Sequence, residues 1–273
     1  MLKTRLITAL IGVVLLAVAI TYGGLFFNLV MSVLAVIGWV ECVSLFRHMK
    51  RRLLPLWGLI YIVLVCGSLV FGNYPLAVFL GVLVMLAMVI EYTFCNGKIT
   101  LPAVQSTISS LLYVTSGFMA LMVLRDNRIY ENTSYYADQE SFGMAVIWLV
   151  LISIWASDTF AYFVGRSIGK RNIVPTISPN KTLEGFIGGF IGCILTGWLG
   201  SICLGLPLHF GLGMGVIVGV LAPLGDLFES KLKRQADKKD SGTLLPGHGG
   251  VLDRFDSLLF AAPLVLAYIL MLP

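Results

Sequence analysis

Charge is what this sequence is short of. Only 12% of its 273 residues are Asp, Glu, Lys or Arg, against 58% from the apolar set, and the mean hydropathy is +0.93. A soluble domain carries roughly 25% charged residues, so water is excluded as the main solvent of this chain. Close cysteine spacing is also lacking. Cys42, Cys66, Cys95, Cys193 and Cys203 fall in or beside apolar runs, which excludes a metal knuckle or a disulfide framework and leaves them as small hydrophobes. The apolar stretch after Met1 to Arg5 has no small-residue cleavage site leading into a soluble mature region, so it reads as a first anchor. At about 1.5 Å per helical residue and about 30 Å of hydrocarbon, each crossing takes about 20 residues, and no separate soluble domain fits. The formal charge of +5 is accounted for by membrane topology and anionic lipid, without nucleic acid.

What the sequence does have is a series of apolar runs, near residues 6–22, 25–46, 53–71, 75–94, 101–124, 142–164, 183–206, 210–228 and 255–272, with Gly23 and Gly24 marking a turn between the first two. They predict an all-α, polytopic integral membrane protein with about nine transmembrane helices. Residues 1–124 form helices one to five. Residues 142–273 form the region expected to hold the chemistry, with polar loops at 165–182 and 230–253. With a cytoplasmic N-terminus, 17 of the 19 basic residues fall inside and only Arg125 and Arg128 fall outside, as the positive-inside tendency predicts. The expected location is the cell inner (plasma) membrane, with the active site facing the cytoplasm. The external segment after Arg125 carries Asp126, Glu131, Asp138 and Glu140 among tyrosines and reads as a solvated connector; its Asn132-Thr133-Ser134 fits a glycosylation pattern too short to carry weight.

Carboxylates inside apolar helices cost roughly 2.5 to 3.5 kcal/mol on insertion scales, so they mark a cavity, an ion or a transport path. Asp158 lies near the cytoplasmic end of the sixth helix, Asp226 and Glu229 near that of the eighth, and Asp253 and Asp256 open the ninth. The last two pairs are spaced i,i+3, on one helix face. Around them stand Arg166, Lys170, Lys181, Lys231, Lys233, Lys239 and Arg254. Convergent acids ringed by base suit a divalent cation and phosphates: Mg²⁺ takes oxygen ligands and bridges one or two carboxylates to phosphate, while Lys and Arg neutralise the rest. Glu229, one turn before Lys233, fits a structural ion pair equally well. Gly247-His248-Gly249-Gly250 can expose backbone N–H groups to phosphate. Ser178 to Gly185 reads as a helix start with Thr182 as cap, and Gly185, Gly188, Gly189 and Gly192 read as a close-packing stripe.

These residues resemble the phosphatidate cytidylyltransferase family. The resemblance runs through Ser230-x-Leu232-Lys233-Arg234, Lys239-Asp240-x-Gly242, Leu245-Pro246-x-His248-Gly249-Gly250-Val251 and Asp253-Arg254-Phe255-Asp256. Upstream it includes Ser157-Asp158-Thr159, Ala161-Tyr162, Gly165-Arg166, Gly169-Lys170 and Ser178-Pro179-Asn180-Lys181-Thr182-x-Glu184-Gly185. Asn180 departs from the family's usual Lys, which implies less local charge. The resemblance implies CTP and phosphatidate as substrates among membrane lipids, CDP-diacylglycerol and diphosphate as products, and a homodimer. It implies metal ligation by Asp226 and Asp253, with Asp256 and Asp158 next, and phosphate contacts from Lys181, Lys239 and Arg254. Lys233, Arg234, Ser178, His248, Gly249 and Gly250 are expected to line the nucleotide pocket. Mg²⁺ is the expected metal, and there are more carboxylates than one Mg²⁺ needs, which leaves room for a second cation. A lipid-alcohol kinase would need a base beside a hydroxyl, and an ion transporter has no evident need for dense Lys, Arg and Gly on one side; both are weaker readings.

Overall fold

The computed structural model describes residues 2–94, 97, 99–130, 139–244, 247 and 249–272, without the side chains of 2–7 and 139–141. His248, Leu245, Pro246 and the Asn132-Thr133-Ser134 segment lie outside the described residues. Among the described residues, nine α-helices follow the nine apolar runs: α1 Leu2–Tyr22, α2 Gly24–His48, α3 Pro55–Val70, α4 Tyr74–Phe94, α5 Leu101–Leu124, α6 Gln139–Ile168, α7 Leu183–Leu204, α8 Leu208–Gln235 and α9 Leu252–Met271. A short 3-10 turn, Asn127–Tyr130, follows α5.

Seven of these, α2 and α4 to α9, are long and apolar enough to cross a membrane; α3 and the apolar stretch Thr8–Tyr22 of α1 are shorter. The chain is a polytopic membrane protein with seven helices of spanning length among the described residues. Its outer faces agree. On α4, Val78, Phe79, Leu86 and Ile90 are each more than half exposed, an apolar stripe that water would penalise and lipid accepts.

Two expectations need correction. The 165–182 segment is not all loop: Asn172–Val174 (β1) and Ser178–Thr182 (β2) form an antiparallel hairpin, with Asn172 opposite Thr182 and Val174 opposite Ser178. Among the described residues the chain is therefore all-α apart from this hairpin. The 230–253 segment begins later than its polarity suggests, because α8 runs on through Lys231, Lys233 and Arg234 to Gln235. Lys, Arg and Glu are good helix formers, so the helix outlasts its apolar run. It ends just before Asp237, whose φ of 56° is left-handed.

The chain divides into two compact units, Met1–Val123 with Leu232–Phe255, and Leu124–Lys231 with Asp256–Pro273. In the first unit, Gly58 gives the Trp39 ring its place, since a Cβ there would overlap the indole. The Trp39 Nε1 donates to the Pro55 carbonyl at 3.1 Å, and the Leu54 N–H donates to Thr107 Oγ1 at 2.9 Å. Trp57 donates to the Glu91 carboxylate across α3 and α4.

The second unit is packed on glycine. A Cβ at Gly188 would lie 2.6 Å from Val164, at Gly189 2.8 Å from the Ser157 carbonyl oxygen, and at Gly192 2.8 Å from Phe160. The stripe foreseen in α7 therefore seats it directly on α6. Gly197 against Gly211 and Gly215 against the Cys193 carbonyl do the same for α7 and α8. Gly189→Ala should lower the thermal unfolding midpoint in detergent, at a cost of about 1–3 kcal/mol, since backbone cannot yield. Gly67→Ala in α3, where nothing lies within 4 Å of the added atom, should be neutral or stabilising by up to about 1 kcal/mol. Equal midpoints for the two variants would contradict this packing.

Candidate active site

In the second unit the site is built from α6, β2 and α8. Thr182 ends the hairpin and caps α7, its Oγ1 accepting from the Gly185 N–H at 3.1 Å, as its position predicts. Glu184 braces the hairpin's other end, accepting from the Lys170 and Arg171 N–H groups at 3.0 and 3.2 Å. Lys181, one residue before the cap, is thereby aimed at α8, where its ammonium is paired with Asp226 Oδ2. Ser230, one turn on, donates to Asp226 Oδ1 at 3.3 Å. Asp158 on α6 lies within electrostatic reach of both Asp226 and Lys181. Asp158, Lys181 and Asp226 therefore come together, as their chemistry suggested. Their side chains are not sealed: Lys181 is 29% and Asp226 35% exposed.

Ser178 lies on the same strand as Lys181. Arg166, at the end of α6, donates to the Tyr162 hydroxyl at 2.6 Å and lies over its ring. Asp256 sits in the second unit at the start of α9's apolar run, with Oδ1 accepting from the Ser257 N–H at 2.6 Å. Its backbone carbonyl is pressed against Gly225, where no Cβ would fit. Glu229 is fully buried.

The first unit holds a second cluster. Asp253, in the first turn of α9, has a side chain only 4% exposed. Lys233 donates to its Oδ1 at 2.6 Å. Its Oδ2 accepts from the Ser241 N–H at 2.8 Å, the Ser241 hydroxyl at 2.9 Å and the Gly250 N–H at 2.8 Å. The glycine run thus has a use its composition did not disclose. Gly249, at φ +84°, would press a Cβ onto Asp253 Oδ2, and Gly250 would press one onto Ser241 Oγ; the glycines let the backbone close around an internal carboxylate. Arg234, Lys239 and Arg254 are exposed around this cluster, and Arg234 donates weakly to the Lys238 carbonyl at 3.4 Å.

Among the described residues, no three His, Cys, Asp or Glu side chains gather into a metal-holding group. The donor chemistry nevertheless fits a hard cation. Asp226 and Asp253 each carry an ammonium on one carboxylate oxygen, so each oxygen already accepts concentrated positive charge, and Asp158 adds a further carboxylate beside Asp226.

The sequence matches the cytidylyltransferase family over residues 3–272. The chain belongs to that family. Among similar proteins, the phosphatidate cytidylyltransferase of Bacillus subtilis strain 168 is 32% identical over 263 residues, covering 96% of this chain and 95% of the relative. The phosphatidate cytidylyltransferases of Staphylococcus epidermidis strain ATCC 12228 and Staphylococcus aureus strain COL are each 32% identical, over 268 and 272 residues, covering 96% of this chain and 97% of each relative. The likeness spans the N-terminal helices as well as the polar motifs.

Reading by motif named Glu184 and Ser230 without assigning them a contact, and missed Ser241 and above all Glu41. The signal for Glu41 was present: a lone carboxylate in an apolar helix needs a partner. The two lysine–aspartate pairs also differ in a measurable way. Lys233→Met strands a carboxylate that is nearly sealed, and should destabilise by about 3–5 kcal/mol. Lys181→Met strands one that reaches solvent, and should cost no more than about 1 kcal/mol. Denaturation of the detergent-solubilised variants measures both, and a smaller loss for Lys233→Met would contradict the burial difference.

Proposed function

We propose that this chain is a phosphatidate cytidylyltransferase, transferring CMP from CTP to phosphatidate to give CDP-diacylglycerol and diphosphate. The observation that carries the reading is likeness to relatives of that name over 96% of the chain. The Asp158, Lys181 and Asp226 cluster supplies chemistry that suits it. A phosphatidate oxygen attacks the α-phosphorus of CTP, the bond from that phosphorus to the β-bridging oxygen breaks, and diphosphate leaves with the electron pair. The lipid phosphate has a second pKa near about 6 and is largely ionised at neutral pH, so no strong base is needed. The burden on the protein is to bring two anions together and hold them in line.

In this proposal Lys181, Lys239 and Arg254 neutralise phosphate, and the segment with Gly249 and Gly250 shapes the nucleotide side, with Ser178, Lys233, Arg234 and His248 as the remaining lining candidates. Asp226 with Asp158, and Asp253, would hold Mg²⁺ or a second cation; Asp256 is the reserve ligand. A bound divalent cation would reduce repulsion between the anions and offset charge on the departing diphosphate. The backbone donors on Asp253 Oδ2 would fix the aim of its Oδ1, as outer partners do for metal ligands.

Nine crossings with a cytoplasmic N-terminus belong to the same proposal. At about 1.5 Å per residue the 16 residues of α3 reach about 24 Å, short of the hydrocarbon but within what local thinning accommodates. That orientation puts 17 of the 19 basic residues and both polar segments in the cytoplasm, beneath an inner membrane. A homodimer, implied by the family resemblance, completes the proposal.

Position-specific labelling tests the reaction. Purified protein is given Mg²⁺ and phosphatidate with CTP labelled at either the α- or the γ-phosphate. The lipid product should take the α label, with the γ label in diphosphate. The γ label in lipid would make the chain a kinase, and no transfer of either label by folded protein would overturn the proposal.

A further inference from the structure

Glu41 has no role in the reaction outlined above, yet it organises the segment on which that reaction is proposed to depend. It lies in the C-terminal half of α2, 7% exposed. Its Oε1 accepts from the Val251 N–H at 2.8 Å and its Oε2 from the Leu252 N–H at 2.9 Å. These are the first donors of α9: the Val251 carbonyl accepts the opening helical bonds from Arg254 and Phe255, so the N–H groups of Val251 and Leu252 have no partner within their own helix. A carboxylate from a helix some two hundred residues away thus does the work normally left to a local cap, and its negative charge suits the helix N-terminus.

The same carboxylate also holds the start of the polar segment. The Ser241 hydroxyl lies 3.0 Å from Glu41 Oε2 and 2.9 Å from Asp253 Oδ2, so a single hydroxyl joins the two acids. Gly242 and Gly250 wrap Glu41 from both sides. A Cβ at Gly242 would lie 2.6 Å from Oε1, and one at Gly250 would overlap Oε2. Ser241 on one side and Val251 and Leu252 on the other are therefore tied to one side chain of α2, and Asp253 is tied to the same knot through Ser241 and Gly250.

We infer that Glu41 is a positioning residue for the nucleotide, holding residues 239–242 and 249–252 in the arrangement that presents Lys239 and the glycine backbone to phosphate. The inference rests on the proposed reading of that segment as the CTP-phosphate holder. It has a kinetic signature. A segment held by Glu41 is ordered before CTP arrives; without the carboxylate only a fraction is competent, and apparent affinity falls by that fraction. Saturating CTP restores the ordered state, so turnover survives. A side chain needed only for folding would instead lower the yield of folded protein and leave the CTP requirement of the surviving molecules unchanged.

The test compares wild type with Glu41→Gln, which keeps size but weakens the grip on two N–H groups, using protein that retains a cooperative thermal transition. Wild-type transfer is measured first, so failure of the assigned reaction appears as an inactive wild type and is distinct from failure of this inference. Glu41→Gln should raise the KM for CTP by about tenfold or more, with kcat within about threefold and the KM for phosphatidate unchanged. Ser241→Ala, which leaves both carboxylates in place, should shift the KM for CTP in the same direction by about threefold, and decides the matter where Glu41→Gln does not fold. A KM for CTP that matches wild type in the folded Glu41→Gln protein, or in Ser241→Ala where that variant alone folds, would overturn the inference.

Discussion

A carboxylate carried into a lipid-embedded helix must be matched by a donor or a cation, because no water is there to solvate it. Much of this structure follows from how that requirement is met. Asp226 is matched by Lys181 and Ser230, Asp253 by Lys233 and three donors from the 241–250 segment, Glu91 by Trp57, and Glu41 by two backbone N–H groups and a hydroxyl. The matches are of two kinds. Glu41 and Oδ2 of Asp253 are closed by backbone, in geometry that a ligand cannot displace without unmaking a helix start. Asp226, and Oδ1 of Asp253, are matched by lysine side chains on flexible stems. Acid closed by backbone and acid held by side chains are thus separated atom by atom.

Glycine makes the second kind of match reachable. Asp158 on α6 and Asp226 on α8 meet Lys181 only because α7 is seated on α6 at Gly188, Gly189 and Gly192, and α8 on α7 at Gly197, Gly211 and Gly215. In lipid, helices gain nothing from hiding apolar surface from one another, so close backbone approach and the dispersion it brings are what hold them. The same residue type serves the first unit differently. Gly242, Gly249 and Gly250 let backbone fold around carboxylates, where any side chain would collide.

The nine apolar runs were legible because lipid demands continuous hydrophobicity, and each became a helix. The Thr182 cap and the α7 glycine stripe were legible because both depend on local spacing alone. The gathering of Asp158, Lys181 and Asp226 was legible because charge at membrane depth has few explanations. The hairpin at 172–182 was not, since strands of three and five residues interrupted by Pro179 leave no alternating pattern. The charged end of α8 was not, because polarity was read as loop where helix propensity continued. Glu41 escaped because its partners are backbone groups some two hundred residues away, and backbone donors have no letter in a sequence.

If Asp226 is an acid kept available for a cation, its charge should matter to chemistry far more than to folding. Asp226→Asn keeps the size of the side chain and one acceptor for Ser230, while removing the charge that faces Lys181 and Asp158. The decisive measurement is Mg²⁺-dependent cytidylyl transfer by folded Asp226→Asn protein at saturating CTP and phosphatidate. Turnover should fall about a hundredfold or more, the scale expected when preorganised charge is removed from phosphoryl chemistry, with a weakened response to Mg²⁺ and an unfolding midpoint near wild type. Near-normal turnover with the wild-type Mg²⁺ response would contradict the account.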